Sequence, residues 1–170
     1  MSVKKIALLV ENLYEDIELL WPLYRLKEAG FKVDLVGTDK DKEYTGKHGV
    51  PTQSELASKD IKVEDYDAVV IPGGYSPDRM RACEATKDFV RNMNKDNKLI
   101  AAVCHGPWMI ASTCDIKGKD ITGYHTIKDD LVNAGANYID KEVVVEGNLI
   151  TSRQPDDLIA FTKEIINKLK

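Results

Sequence analysis

Three short runs of almost unbroken apolar residues constrain this chain more than any other feature: Lys5-Ile6-Ala7-Leu8-Leu9-Val10, Asp67-Ala68-Val69-Val70-Ile71 and Lys98-Leu99-Ile100-Ala101-Ala102-Val103. None alternates with polar residues, so each reads as a strand buried on both faces, the pattern of a parallel sheet covered by helices on both sides. Parallel neighbours need a crossover, and the sequence supplies one. Ile17, Leu20, Trp21 and Tyr24 recur at i, i+3, i+4 and i+7, which is helical spacing; Ala29-Gly30 then stops the helix before the strand Lys32-Val33-Asp34-Leu35-Val36. This is a β-α-β unit. Pro22 inside it requires either that the first regular turn begin near Glu18 or that the axis bend there.

The segment from Gly37 to Ser58 is polar and carries Thr45-Gly46-Lys47-His48-Gly49, a turn-rich excursion that reads as a small hairpin. Helices are expected from Asp78 to Met93, from Gly106 to Thr113, and from Asp156 to Leu169 after Pro155. Asp120-Ile121-Thr122-Gly123, Val143-Val144-Val145 and Leu149-Ile150-Thr151-Ser152 are the remaining strand candidates, with Glu146-Gly147-Asn148 as a tight turn between the last two. The alternation predicts a three-layer α/β/α sandwich with a mainly parallel, flavodoxin-like sheet. At 170 residues and 43% apolar content, the chain reads as one domain over 1–170.

Charge and composition exclude several classes of function. Lys and Arg total 24 against 28 Asp and Glu, a net charge of -4 that offers no basic face to a phosphate backbone, so nucleic acid is not an expected partner. No apolar run reaches the roughly 18 residues of a membrane span. Met1-Ser2-Val3-Lys4-Lys5 leads directly into a strand instead of a secretory signal, so a soluble, cytoplasmic protein is expected. Cys83, Cys104 and Cys114 form no Cys-x-x-Cys pair and read as reduced thiols; His48, His105 and His125 lack metal-ligand spacing, so no metal and no cofactor is expected.

In open parallel sheets ligands bind at the carboxyl ends of the strands. The residues there are Glu11, Glu15, Asp16 and Glu18 after the first strand, Pro72-Gly73-Gly74 after the third, and Cys104-His105-Gly106-Pro107 after the fourth. A strand ending at Val103 and a helix opening near Gly106 leave Cys104 on a sharp, strained turn like a nucleophile elbow. Its thiol then faces the free N–H groups of the helix start, whose partial positive charge favours thiolate and is expected to depress its pKa. Gly73-Gly74 lacks dinucleotide-motif spacing. It reads either as a plain turn or as a close backbone approach in which the N–H of Gly74 and that of His105 form an oxyanion hole over Cys104. Glu11, Glu15, Asp16 and Glu18 read equally as solvated first-turn charges, and Asp129-Asp130 and Asp156-Asp157 as helix-start carboxylates.

The ordered motifs Tyr14-Glu15-Asp16-Ile17-Glu18-Leu19, Thr45-Gly46-Lys47-His48-Gly49, Ile71-Pro72-Gly73-Gly74, Ala102-Val103-Cys104-His105-Gly106-Pro107, Ile127-Lys128-Asp129-Asp130-Leu131, Asn133-Ala134-Gly135-Ala136 and Thr151-Ser152-Arg153 resemble the PfpI intracellular protease family, within the ThiJ/PfpI superfamily of class I glutamine amidotransferase-like folds. The resemblance spans nearly the whole chain. It implies that Cys104 is the nucleophile, His105 the catalytic histidine, and Glu18 a protonated carboxyl donating to the sulfur. It further implies oxyanion donors at Gly74 and His105, and a site-lining Tyr124. In protease members a carboxylate from a neighbouring subunit completes the triad; Asp78 stands at that position, where the protease pattern has glutamate. Trp108 replaces a polar residue and is expected to narrow the site, while His125 reads as a surface residue and His48 as a turn or interface residue. A homo-oligomer, dimer or hexamer, is implied.

Three functions follow from this reading. The first is a cysteine-dependent enzyme on small reactive carbonyls, glyoxalase-like or deglycase-like. The second is a peptidase or amidase with an intersubunit triad. The third is a redox-sensing or chaperone-like stress protein whose Cys104 is oxidised to sulfinate. A glutamine amidotransferase is excluded because its downstream His-x-Glu pair is absent; the later histidine reads His125-Thr126-Ile127.

Overall fold

In chain order, β1 (Lys5–Leu9) leads into α1 (Asp16–Glu28) and β2 (Lys32–Gly37); β3 (Glu43–Thr45), β4 (Pro51–Gln53) and β5 (Leu56–Ala57) follow. Next come β6 (Ala68–Ile71), α2 (Ser76–Arg81), α3 (Glu84–Lys95), β7 (Leu99–Val103) and α4 (Pro107–Thr113). The chain closes with β8 (Asp120–Ile121), α5 (Lys128–Asn133), β9 (Asn137–Tyr138), β10 (Val143–Glu146), β11 (Leu149–Ser152) and α6 (Leu158–Leu169). This computed structural model describes residues 3–170; Met1 and Ser2, which open the segment read as running directly into the first strand, lie outside the described residues.

The main sheet has the order β10-β11-β7-β6-β1-β2-β5. Every neighbouring pair is parallel except the β10–β11 hairpin at one edge. The expected flavodoxin-like sandwich is what forms, and all five residues of β7 are buried, as its unbroken apolar run requires. Alternate side chains feed two cores. Ile6 and Leu8 face Leu19, Leu23, Phe161 and Ile165 of α1 and α6, while Ala7 and Leu9 face Phe89, Met93, Met109 and Ile110 of α3 and α4. Among the described residues no helix is long and apolar enough to cross a membrane.

Four local expectations need correction. The helix α1 forms, but Ile17, Leu20, Trp21 and Tyr24 are not its core stripe: Ile17 and Tyr24 are exposed, Leu20 and Trp21 are half-buried with Trp21 packed on the core edge, and the core takes Leu19, Leu23 and Leu26 together with Glu18 and Pro22. The inner face carries two buried acids, Asp16 and Glu18, so counting apolar residues selects the wrong side. The helix already begins at Asp16, leaving Pro22 in its second turn without a donor for the Glu18 carbonyl. The helix expected from Asp78 to Met93 is two, because Cys83 is extended (φ -94°, ψ 112°) and starts α3 afresh. Finally, β8 stays out of the main sheet and pairs with β9, and α5, which no periodicity marked, packs beside them.

Candidate active site

The turn after β7 is an elbow. Cys104 has φ +61°, a left-handed conformation that costs a non-glycine residue on the order of 1 kcal/mol or more. Neighbouring backbone holds it there: its N–H donates to the Ser152 carbonyl at 3.0 Å, and its own carbonyl accepts the Tyr124 N–H at 2.8 Å. Gly106 is required by crowding, since a Cβ there would lie 2.6 Å from the Ile71 carbonyl oxygen. Pro107 opens α4, where a missing N–H costs nothing.

Gly73 and Gly74 do different work. A Cβ on Gly73 would meet Glu18 Oε2 at 2.4 Å and Cys104 Cβ at 2.7 Å, so glycine lets the first and fourth strand ends close on each other. Gly74 has φ +71° and bridges Tyr14 in antiparallel fashion, with the Tyr75 N–H donating to the Leu13 carbonyl. The Gly74 and His105 N–H groups lie close enough to the Cys104 sulfur to favour its thiolate. At Gly73 the glycine pair is a close backbone approach, not a plain turn.

Glu18 is fully buried. Its Oε2 accepts the Gly73 N–H at 2.8 Å, whereas Oε1 has no hydrogen-bond partner among the described residues. Burial pushes its pKa up to about 7, against smaller opposing effects from Cys104 and Gly73. The Cys104 thiol is also pushed up, by burial first and then by the Glu18 charge beside it; the N–H groups of Gly74 and His105 act in the opposite direction and lose. The expected depression at a helix start is therefore reversed: when the pair gives up a proton, Glu18 releases it before the sulfur does. His105 sits half-buried with Nδ1 3.3 Å from the Cys104 sulfur, and burial, then the Lys47 and His125 charges, lower its pKa and keep it neutral near pH 7.

These groups share one cavity of about 370 Å³ lined by Glu15, Glu18, Lys47, Gly74, Tyr75, Cys104, His105, Tyr124, Thr126 and Pro155. The Tyr124 ring stacks on His105 at 5.2 Å. Five residues expected at the site, Cys104, His105, Glu18, Gly74 and Tyr124, thus converge, and one, Trp108, does not. Asp78, expected to act on the histidine of a neighbouring subunit, is exposed on α2, outside the cavity wall of its own chain. Trp108 turns away: its Nε1 donates to Asp130 at 2.8 Å and its ring faces Arg81, so it narrows nothing and only backs His105 edge-on at 4.9 Å. The residue follows Pro107 on the helix and projects over a neighbouring groove beside α5, an element the sequence pattern did not reveal. His125 is exposed beside Tyr124, as a surface residue should be.

Residue-by-residue reading missed Lys47, Tyr75, Thr126 and Pro155, and left Glu15 as a solvated charge. The two loop motifs explain part of this. Asp16 accepts the N–H of His48 through Oδ2 and of Val50 through Oδ1, and a Cβ on Gly46 would strike that carboxylate at 2.5 Å. Thr45-Gly46-Lys47-His48-Gly49 is thus shaped to seat on the start of α1. There Glu15 pairs with Lys47 at 2.9 Å and with His48 at 3.1 Å, placing the Lys47 ammonium in the cavity wall. Among the described residues Glu15, Asp16 and His48 are the acid and histidine cluster nearest to metal-ligand geometry, but Asp16 already spends both oxygens on backbone N–H groups. Cys83 and Cys114 lie elsewhere: the former begins α3, where Thr86, Ser58 and the helix N–H groups outweigh burial and lower its pKa, and burial pushes the latter up.

With this geometry in view, comparison with known proteins gives a consistent family. The sequence model of the DJ-1/PfpI family matches residues 4–168. The chain is 48% identical over 167 residues to a Bacillus subtilis protein named "Putative cysteine protease YraA", covering 98% of this chain and 99% of that one. It is 41% identical over 166 residues to "Deglycase PfpI" of Pyrococcus furiosus, covering 98% and 99%. Among solved structures, a two-domain protein of Anabaena variabilis containing DJ-1/ThiJ/PfpI-like and ferritin-like domains superposes with a TM-score of 0.95 at 44% identity. The match covers 98% of this chain and 48% of that one, so the chain spans about half the length of that relative.

Proposed function

The chain belongs to the DJ-1/PfpI family, and from that premise we propose that it is a cysteine-dependent enzyme acting on small reactive carbonyls, glyoxalase-like or deglycase-like, with Cys104 as nucleophile. One observation carries this reading: the Cys104 sulfur lies in a small cavity with an imidazole nitrogen at 3.3 Å, the backbone N–H groups of Gly74 and His105 near it, and a buried carboxyl whose Oε1 has no hydrogen-bond partner among the described residues. The deglycase name of the Pyrococcus furiosus relative agrees with it.

Taking methylglyoxal as substrate, the sulfur bonds to the aldehyde carbon while the thiol proton passes to His105 Nδ1 and the carbonyl π pair moves onto oxygen. The N–H groups of Gly74 and His105 hold that oxygen. Glu18, as carboxylate, takes the proton from the former aldehyde carbon through Oε1 and returns it to the neighbouring carbon. Meanwhile the first oxygen re-forms a carbonyl and the second takes from water a proton equal to the one the thiol gave up; the product is a lactoyl thioester. Water then cleaves the thioester to lactate and regenerates the thiol. One water is consumed, no electrons leave the system, and no cofactor is required. A pKa near 7 suits a group that must both take and return a proton at neutral pH.

The peptidase reading has the protease name of the Bacillus subtilis relative in its favour, but Asp78 stands exposed on α2 outside the cavity wall and needs a second chain to meet any histidine. The test of the carbonyl reading is lactate formation from methylglyoxal without glutathione. The wild type is expected to turn over and Cys104→Ala to lose at least roughly a thousandfold, the scale of removing a covalent nucleophile. Equal rates for the two proteins would sink the proposal.

A further inference from the structure

Both ring nitrogens of His105 have partners within one chain. Nδ1 faces the Cys104 sulfur at 3.3 Å, and Nε2 lies 3.4 Å from the Thr126 hydroxyl. The ring is held between Tyr124, stacked at 5.2 Å, and Trp108, edge-on at 4.9 Å, with Tyr75 on its open side at 6.4 Å. The ring is packed by these three side chains. A proton that Nδ1 takes from the sulfur has an exit through Nε2, the opposite corner of the ring. Thr126 occupies that exit; it belongs to the cavity wall, sits on the short turn His125–Ile127, and is exposed to solvent.

From this juxtaposition we propose that Thr126 is the positioning and proton-relay residue of the site, linking His105 to water within a single subunit. The inference rests on the reading of His105 as acceptor of the thiol proton. A hydroxyl suits the task because it both accepts and donates. Before attack, Nε2–H donates to Thr126 Oγ1 while Nδ1 accepts the thiol proton. After attack the ring carries both protons; the Nε2 proton passes to Thr126 Oγ1 as the hydroxyl's own proton goes to water. The imidazole is left with its proton on Nδ1 and Thr126 donating to Nε2. When the thioester is cleaved, Nδ1–H returns its proton to the departing sulfur and the path runs in reverse. One proton leaves and one returns per turnover, with no other reactant. The charges that bear on the ring, Lys47 from the hairpin and His125 from the turn, disfavour a stored imidazolium, so a direct exit matters.

The experiment compares Thr126→Val, which keeps shape and removes the hydroxyl, with Thr126→Ser, which keeps the hydroxyl. Two readouts are used: methylglyoxal turnover in H₂O and D₂O, and the rate of Cys104 alkylation by iodoacetamide against pH, followed by peptide mapping so that Cys83 and Cys114 do not interfere. Thr126→Val is expected to lower kcat about tenfold, within the range for a general acid–base step, with little change in KM and a larger solvent isotope effect; Thr126→Ser should restore most of the rate. Alkylation of Cys104 in Thr126→Val should shift along the pH axis, since that thiol also gives its proton to His105. Unchanged kcat, isotope effect and alkylation profile in Thr126→Val overturns the relay, and so does a Thr126→Ser protein as impaired as Thr126→Val. Because alkylation needs no carbonyl turnover, a wild type inert to methylglyoxal but with a Thr126-dependent alkylation profile removes the substrate reading and upholds the relay.

Discussion

Glu18 concentrates two opposing demands in one carboxyl. Folding buries it completely and pushes its pKa from the ordinary 4.5 up to about 7, so the native state holds this proton more tightly than the unfolded chain does. A carboxyl whose folded pKa is raised makes stability fall as pH rises from about 4.5 through about 7, with no further loss above. The displacement corresponds to about 3 kcal/mol at one pKa unit per 1.36 kcal/mol. Glu18→Gln is therefore expected to be more stable than the wild type at pH 8 by up to about that amount and nearly equal to it at pH 4, read from urea midpoints at the two pH values. The same substitution should abolish turnover, and wild-type kcat/KM should climb with pH through about 7 as the base form of Glu18 appears. An identical stability change at both pH values would contradict the buried-proton account. Nothing local in the sequence distinguishes Glu18 from Glu11, Glu15 or Asp16; Glu11 and Asp16 are buried too, and that Glu18 is the one set against the elbow follows from the facing Gly73 and Cys104.

At the level of elements, the site depends on segments distant in sequence seating on one another. The hairpin of β3 and β4 is fastened to the start of α1 by Asp16, whose two oxygens take the N–H groups of His48 and Val50, and by the Lys47 N–H donating to the Tyr14 carbonyl. Asp16→Ala leaves two backbone donors without partners in a site only 7% exposed, which should cost roughly 2–4 kcal/mol. Amide exchange at His48 and Val50 should accelerate selectively, while β7 amides change only with global stability; uniform acceleration would point to a general loss of stability instead. The outward turn of α1's aromatic stripe belongs to this scale too. Ile17, Leu20, Trp21 and Tyr24 carry the correct period on a face only partly buried, because the inward side is shared between Leu19, Leu23, Leu26 and two acids, Asp16 that holds the hairpin and Glu18 that lines the cavity.

For the molecule as a whole, one core underlies both stability and chemistry. Phe161 on α6 is fully buried in the core shared with α1, a core that extends to Cys104 at its edge, while Phe161 itself is not part of the cavity wall. Phe161→Ala should lower unfolding free energy by about 3–5 kcal/mol while leaving turnover per folded molecule near that of the wild type; a comparable loss of both would show that core and site are coupled. The parallel order of the sheet was legible beforehand because its evidence is repetitive and local: unbroken apolar runs in β1, β6 and β7 can be buried only from both sides, and intervening helices complete the crossovers. The elbow at Cys104 was legible for the same reason, since a strand end and a helix start three residues apart leave one conformation for the residue between them. Short elements such as α5 and the β8–β9 pair were not, because two to six residues carry too little period to register. By itself, then, the sequence determined the architecture and the identity of the elbow cysteine, both consequences of chain-local periodicity and sterics. Only the tertiary structure decided which acid is set against the elbow, which way the thiol's proton affinity moves, that Lys47 and Thr126 reach the cavity while Trp108 does not, and which side of α1 is inside. Burial and electrostatic proximity depend on residues far apart in the chain, and no local pattern encodes them.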